Sequence, residues 1–395
     1  MTRKGVWNLQ QTRDKQLQSL WEQSYSLFMW SEGNRGQLGN SNLTRQSSPI
    51  QIPGTTWHIL CQKRSNLDDE TNTYFSIKDD GTLWSWGANN AGVLGQSQTY
   101  GTINAKSSPV QVGSDTTWAN VVTGATTAFG TKTDGTFWVW GRNTKGGLGL
   151  NQATPTEINS PTQLPGTTWS TNLDHSSAGV HICQQIKTDG TLWMWGDNEV
   201  GQLGQNSRTY YSSPVQIPGT SWQSIGGTRQ PQLAIKTDGT MWGWGGEGLS
   251  LGLNSTTEYS SPVQIPGTWD LCISGASVGL GHKSDNTLWV WGNNNMGRLG
   301  LNQTDNTMLR SPVQIPGSWS KEFSLKENGA CVFAIRTDGT FWAWGKNQYG
   351  TLGLNDNTDR SSPTQIGSNS NWAFVACGGA AGAKAMTAAL TPSQL

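Results

Sequence analysis

Short apolar and polar runs alternate along this chain and return at a regular interval. Residues 222–269 show one full cycle. Trp222 and Ile225 open it, and a Gly226-Gly227 pair follows. LAIK at 233–236 and TMWGW at 240–244 are alternating runs separated by Asp238-Gly239. Asp-Gly between alternating runs predicts a tight hairpin, because Gly accepts a positive φ. A Gly-rich loop ends at Leu251-Gly252, and the run PVQI at 262–265 predicts a further strand. Pro262 at its start suits a strand's first residue or an edge strand, not the interior of a ladder. The next cycle begins at Trp269.

The cycle can be followed seven times. The second Trp of each Trp-x-Trp-Gly unit falls at Trp30, Trp86, Trp140, Trp195, Trp244, Trp291 and Trp344. A period of roughly 50 residues with four short strands per unit predicts a propeller. The expected fold class is therefore all-β: a seven-bladed propeller of four-stranded antiparallel blades. The first unit lacks its opening half. The far end supplies a match in Trp372 to Val375, Gly378-Gly379 and KAMTAAL at 384–390. Strands from both termini are thus expected to complete one blade and close the ring, which removes open sheet edges. Residues 1–26 read as a separate leader, and residues 27–395 as the propeller.

Trp-Gly-x-Asn-x-x-Gly-x-Leu-Gly runs recur at Trp86 to Gly95, Trp140 to Gly149, Trp195 to Gly204, Trp291 to Gly300 and Trp344 to Gly353. In these runs the chain resembles the regulator of chromosome condensation repeat, a family of seven-bladed propellers. The resemblance extends over about residues 27–390 and implies a fold more than a function.

The chain has 395 residues and 22 Trp, most of them at repeat positions, so blade packing is the simplest use for them. Lys plus Arg and Asp plus Glu are 26 each, so the formal net charge is zero. Nothing electrostatic favours a nucleic-acid partner. The five Cys show no Cys-x-x-Cys spacing and read as small buried hydrophobes. No apolar run is long enough to span a membrane, and the first residues lack the apolar core of a signal peptide.

Candidate chemistry is sparse. Of the four His, only His175 and His181 are close in sequence, and their spacing fits no helical zinc motif. Asp80, Asp134, Asp189, Asp238 and Asp338 recur at one position of the repeat. An active site needs one asymmetric constellation, so repeated acids read as turn residues. No metal or cofactor is expected, and no catalytic residue is nominated.

Binding candidates come from the parts that break the repeat. In the leader, Leu17, Leu20 and Trp21 make one apolar stripe on a short predicted helix, with Trp7 upstream. The insertion near 62–74 carries Lys63, Arg64, Asp68, Asp69 and Glu70, and Tyr100 lies in the long loop 96–107. Insertions at equivalent points of each repeat emerge on one face, often the binding face. The run Lys4-Gly5-Val6-Trp7-Asn8-Leu9 resembles the leader of many bacteriophage virion proteins. That resemblance implies a non-enzymatic virion component (tail, fibre or capsid surface), made in the host cytoplasm. It would dock on other virion proteins through the leader and present loops to a host receptor, with the oligomeric state open. The alternative is a cytoplasmic regulatory protein that binds a small GTPase or an enzyme through the loop face.

Overall fold

The computed structural model describes residues 25–31, 36–44, 46–54, 56–60, 73–98, 105–124, 126–152, 154–179, 181–227, 231–246, 251–275, 278–303, 306–325, 331–378 and 386–392. The strands among them form six sheets, and every strand pairing is antiparallel. Sheet II comprises Trp118–Thr123, Thr127–Lys132, Phe137–Arg142 and Glu157–Leu164. Sheet III comprises Ser176–Ala178, Ile182–Ile186, Leu192–Gly196 and Tyr211–Gln216. Sheet IV comprises Trp222–Ile225, Gln232–Lys236, Thr240–Trp244 and Val263–Thr268. Sheet V comprises Leu271–Ser274, Val278–His282, Leu288–Asn293 and Met308–Ile315. Sheet VI comprises Trp319–Leu325, Cys331–Arg336, Phe341–Gly345 and Arg360–Gln365.

Sheet I differs, with eight strands. It joins Tyr25–Ser31, Gln46–Gln51, Trp57–Leu60, Thr73–Lys78, Leu83–Gly87 and Lys106–Gln111 to Phe374–Gly378 and Met386–Pro392. This corrects the expectation of seven separate four-stranded blades closed by a blade built from both termini. Six sheets are present. Tyr25–Ser31 does pair with Met386–Pro392, from Tyr25↔Pro392 to Trp30↔Thr387. That pair is not a self-contained closing blade. Tyr25 also pairs with Trp57, and this bridge runs the sheet on into the strands of the next repeat. The Trp30 and Trp86 repeats therefore share one sheet.

The core lies between sheets, because both faces of each inner strand are buried. One apolar cluster joins Phe75, Ile77 and Val93 to Trp118, Val121 and Trp140 across sheets I and II. Equivalent clusters fill the seams from II to III, III to IV, IV to V and V to VI. Trp30 and Val375 of sheet I pack with Phe333, Phe341 and Leu352 of sheet VI.

Alternation of strand direction places two kinds of connection at opposite ends of each sheet. At one end are the Asp-Gly hairpins, joined to the leading Trp of the following sheet. The Trp169 N–H donates to Gly135 O (3.3 Å), and Trp222, Trp269 and Trp372 repeat this bond with Gly190, Gly239 and Gly339. At the other end are the Trp-Gly-x-Asn loops. Asn286 replaces Gly at the sheet V hairpin and takes the same left-handed conformation (φ 63°), which Asn tolerates better than most residues.

Candidate interaction surface

The Trp-Gly-x-Asn loops are built as clasps. Asn143 Oδ1 accepts the Leu148 N–H (3.2 Å), and its Nδ2 donates to Gln152 O (2.8 Å). Asn198 does the same with Leu203 N–H (2.8 Å) and Ser207 O (2.9 Å), and Asn89, Asn294 and Asn347 repeat the pattern. These Asn are buried, so the bonds satisfy groups that would otherwise cost about 1–3 kcal/mol each.

Each clasp then docks on the next sheet. At several seams the buried second Trp of the next repeat donates its indole N–H to a loop carbonyl, whereas Trp344 Nε1 is buried without such a partner. Trp140 reaches Val93 O (2.8 Å), Trp195 reaches Gly147 O (3.1 Å), Trp244 reaches Gln202 O (2.9 Å), and Trp30 reaches Thr351 O (3.3 Å). Just past the Leu-Gly step, a residue with positive φ donates its N–H to the next outer strand or the segment just before it: Asn151 to Ser212 O, Asn206 to Ser260 O, Asn302 to Ser361 O.

The clasp fixes its surroundings and leaves two residues at its tip free to differ. They are Asn90-Ala91, Thr144-Lys145, Glu199-Val200, Asn295-Met296 and Gln348-Tyr349. Ala91, Lys145 and Met296 stand at φ 56°, 57° and 63°. A non-Gly residue there costs about 1–2 kcal/mol and persists only when its surroundings hold it. Met296 is 37% exposed.

One group of tips forms a connected cluster. Lys145 of sheet II bonds Asp197 Oδ2 (2.9 Å) and Glu199 Oε1 (2.5 Å) of sheet III. The Tyr210 hydroxyl donates to the same Glu199 oxygen (3.0 Å), and the Lys145 ammonium lies 5.2 Å from the Tyr210 ring. Arg208 bonds Glu258 of sheet IV (2.7 Å). Burial pulls the Lys145 ammonium pKa down, but its bonds to Glu199 and Asp197 outweigh this and raise it. Bonds from Lys145 and Tyr210 lower Glu199, and the bond to Glu199 raises the Tyr210 phenol. Tyr210 is 45% exposed at the centre of these charges.

The opposite face is uniform. Asp134 Oδ1 accepts both the Thr136 N–H (3.0 Å) and its hydroxyl (2.7 Å), and Thr136 Oγ1 accepts the Trp138 indole N–H (2.9 Å). The same relay occurs at Asp80, Asp189, Asp238, Asp285 and Asp338. The cation two residues before each Asp (Lys78, Lys132, Lys187, Lys236, Lys283, Arg336) lies over two indoles. Lys132, for example, is 3.7 Å from the Trp138 ring centre and 5.1 Å from that of Trp118. These acids are therefore turn residues, each closing its own hairpin. No group of three or more His, Cys, Asp or Glu placed to hold a metal ion occurs among the described residues.

The relay has a pH consequence. All six Asp carboxyls are lowered, first by the Thr hydroxyl bond. A lowered folded pKa contributes stability that is present above the unfolded value, about 3.9, and lost as pH falls through the folded one. Urea midpoints are expected to fall between neutral pH and a pH of about 3, and Thr136→Val to flatten that fall. Strong salt weakens the effect, since these carboxylates are solvent-exposed.

The sequence-derived binding residues Trp7, Leu17, Leu20, Trp21, Lys63, Arg64, Asp68, Asp69, Glu70 and Tyr100 all lie outside the described residues. The Lys145–Tyr210 cluster was missed because its members lie some 50 residues apart in sequence. The readable signal was the tip pair, which changes from unit to unit inside an otherwise repeated loop.

Residues 80–129, 189–226, 285–325 and 338–381 match the family model "Regulator of chromosome condensation (RCC1) repeat". The ultraviolet-B receptor UVR8 of Arabidopsis thaliana is 24% identical over 339 residues, covering 85% of this chain and 64% of that protein. The human E3 ubiquitin-protein ligase HERC2 is 24% identical over 202 residues, 51% of this chain but only 4% of the ligase. The chain thus spans less than two thirds of either relative. Among solved structures, human WBSCR16 superposes with a TM-score of 0.76 at 18% identity, covering 94% of this chain and 100% of that one. Prp20p of Saccharomyces cerevisiae gives 0.75 at 16%, covering 94% and 92%.

These matches overturn the bacteriophage reading, and with it virion partners, a host receptor and a virion location. Among the relatives and solved structures that match are ubiquitin ligases, an ultraviolet-B receptor and Prp20p. Six leader residues carry far less information than a repeat running the length of the chain. In repeat and in fold, the chain is similar to proteins built on the RCC1 repeat.

Proposed function

We propose that this chain is a non-catalytic protein-interaction module of the RCC1-repeat kind, which holds a partner protein on its clasp-loop face. The observation that carries this reading is the Lys145–Asp197–Glu199–Tyr210 cluster, extended by Arg208 and Glu258 over three neighbouring sheets. Tyr and Arg dominate the energetics of protein interfaces, above all where neighbouring contacts exclude water. The pre-set tips also limit the entropy lost on docking. The relatives support a binding role: one solved structure describes binding of Prp20p to Gsp1p and histones, and another shows Kap60 bound to yeast RCC1. For this chain the partner is a folded protein, met by mixed charge around an exposed Tyr.

The test is a binding isotherm of the cross-linked and identified partner with Lys145→Glu and Tyr210→Ala. Each substitution is expected to weaken binding at least tenfold with little change in thermal midpoint, as buried hot-spot contacts do. Thr220→Lys on the opposite face is the control and should bind normally. Full affinity in both loop-face variants would refute the reading.

A further inference from the structure

We propose that the seam between sheets V and VI is locked by a doubly protonated His282, and that loss of one ring proton loosens this seam while the others stay closed.

His282 is fully buried. It pairs with Leu288 in the ladder of sheet V. The same ladder slot holds Ile77 opposite Leu83, Ile186 opposite Leu192, Ile235 opposite Met241 and Ile335 opposite Phe341, while Thr131 stands opposite Phe137. One repeat has thus put an ionisable ring where the others keep an aliphatic or hydroxyl side chain.

Both ring nitrogens face acceptors. Nδ1 is 2.7 Å from Asp270 Oδ1, and Nε2 is 3.0 Å from the main-chain oxygen of Trp319 in sheet VI. A carbonyl oxygen offers only lone pairs, and so does an ionised carboxylate. Neutral imidazole carries one N–H, so it would set one lone pair against another at one of these contacts. Imidazolium carries two and satisfies both. Asp270 supplies the negative charge: burial raises its carboxyl, but the bonds and charges of His282 and Lys321 lower it further. Its second oxygen meets Lys321 Nζ of sheet VI (3.1 Å). Asp270 and His282 on one sheet thus bind Trp319 and Lys321 on the next.

Two further cations at this seam, Lys283 and Arg336, are engaged with indole rings. The Lys283 ammonium lies over Trp269 and Trp289, and the Arg336 guanidinium over Trp319 and Trp342. Glu322 follows Lys321 on the same strand. Phe323 stacks on the imidazole, with centroids 6.3 Å apart and planes 24° apart. Losing a ring proton removes the bond to Trp319 O or turns the Asp270 contact repulsive. The first change breaks a charge-assisted bond across the seam directly, and the second acts through Asp270, whose other oxygen holds Lys321 of sheet VI.

The experiment combines nitrogen-15 NMR of labelled His rings with hydrogen exchange of the whole chain across pH. The His282 signals are assigned by their loss in His282→Ile, the residue used at four equivalent slots. The expected result is a ring bearing two protons at the acid end. As that ring titrates, exchange at 319–325 should rise about tenfold relative to 222–225, and this ratio should be flat with pH in His282→Ile. If His282→Ile does not fold, Asp270→Asn serves instead and is expected to leave the ring singly protonated and the ratio flat. A ring with one proton throughout the folded range, or a ratio that ignores its titration, overturns the proposal.

Discussion

Trp195→Ala is expected to lower the unfolding free energy by about 3–5 kcal/mol, the range for a fully buried aromatic truncated in a tight core. Trp195 has no exposed surface. Its ring meets Phe129, Phe137 and Trp169 at centroid distances of 6.3, 5.9 and 6.1 Å. Its N–H is bonded to Gly147 O, the clasp of the preceding sheet. Truncation therefore opens a cavity in the seam and orphans a loop carbonyl. Trp193, two residues away, is only half-buried and faces the Lys187 cation, so its replacement by Ala should cost clearly less. Denaturant titration of both variants decides the matter: equal losses would mean that the second Trp of the repeat is not the inter-sheet anchor.

Gly149→Ala is expected to cost about 2–4 kcal/mol, from backbone strain plus displacement of a packed ring. Gly149 sits at φ 73°, and an added Cβ would lie 2.7 Å from Trp195 Nε1 and 3.0 Å from its Cδ1. Gly113 offers a matched control, with φ 63° and nothing within 4 Å of an added Cβ. Gly113→Ala carries the backbone strain alone, about 1–2 kcal/mol. The difference between the two losses, read from denaturation midpoints at constant slope, measures the contact between clasp and Trp. No difference would mean that the Leu-Gly glycine serves its own turn and not the neighbouring sheet.

Much of this architecture was legible in the chain. The Asp-Gly hairpins, the strand runs and the turn role of the repeated Asp all follow from local rules, because a hairpin is closed by residues within about ten positions of each other. The number of sheets was not legible. The repeat counts seven Trp-x-Trp-Gly-type units, but whether two units share a sheet depends on one non-local pairing, Tyr25↔Trp57, for which alternation leaves no trace. The half-buried Trp of each hairpin shows the same limit. Its position reads as packing, yet its ring also carries a cation, and the Lys or Arg two residues before each Asp is the clue to that. The surface cluster was furthest from view. Lys145 meets Glu199 and Tyr210, and Arg208 meets Glu258, only because successive clasps dock side by side.

The most direct test of loop-face docking is photo-cross-linking in the native cell, with a photoreactive residue placed in turn at Lys145, Tyr210, Met296 and Tyr349 on the clasp face and at Thr220 and Asp238 on the hairpin face. The account predicts one discrete protein adduct from clasp-face sites, strongest at Tyr210, and none from the hairpin face. Adducts confined to the hairpin face would contradict it, as would an adduct pattern that does not distinguish the two faces.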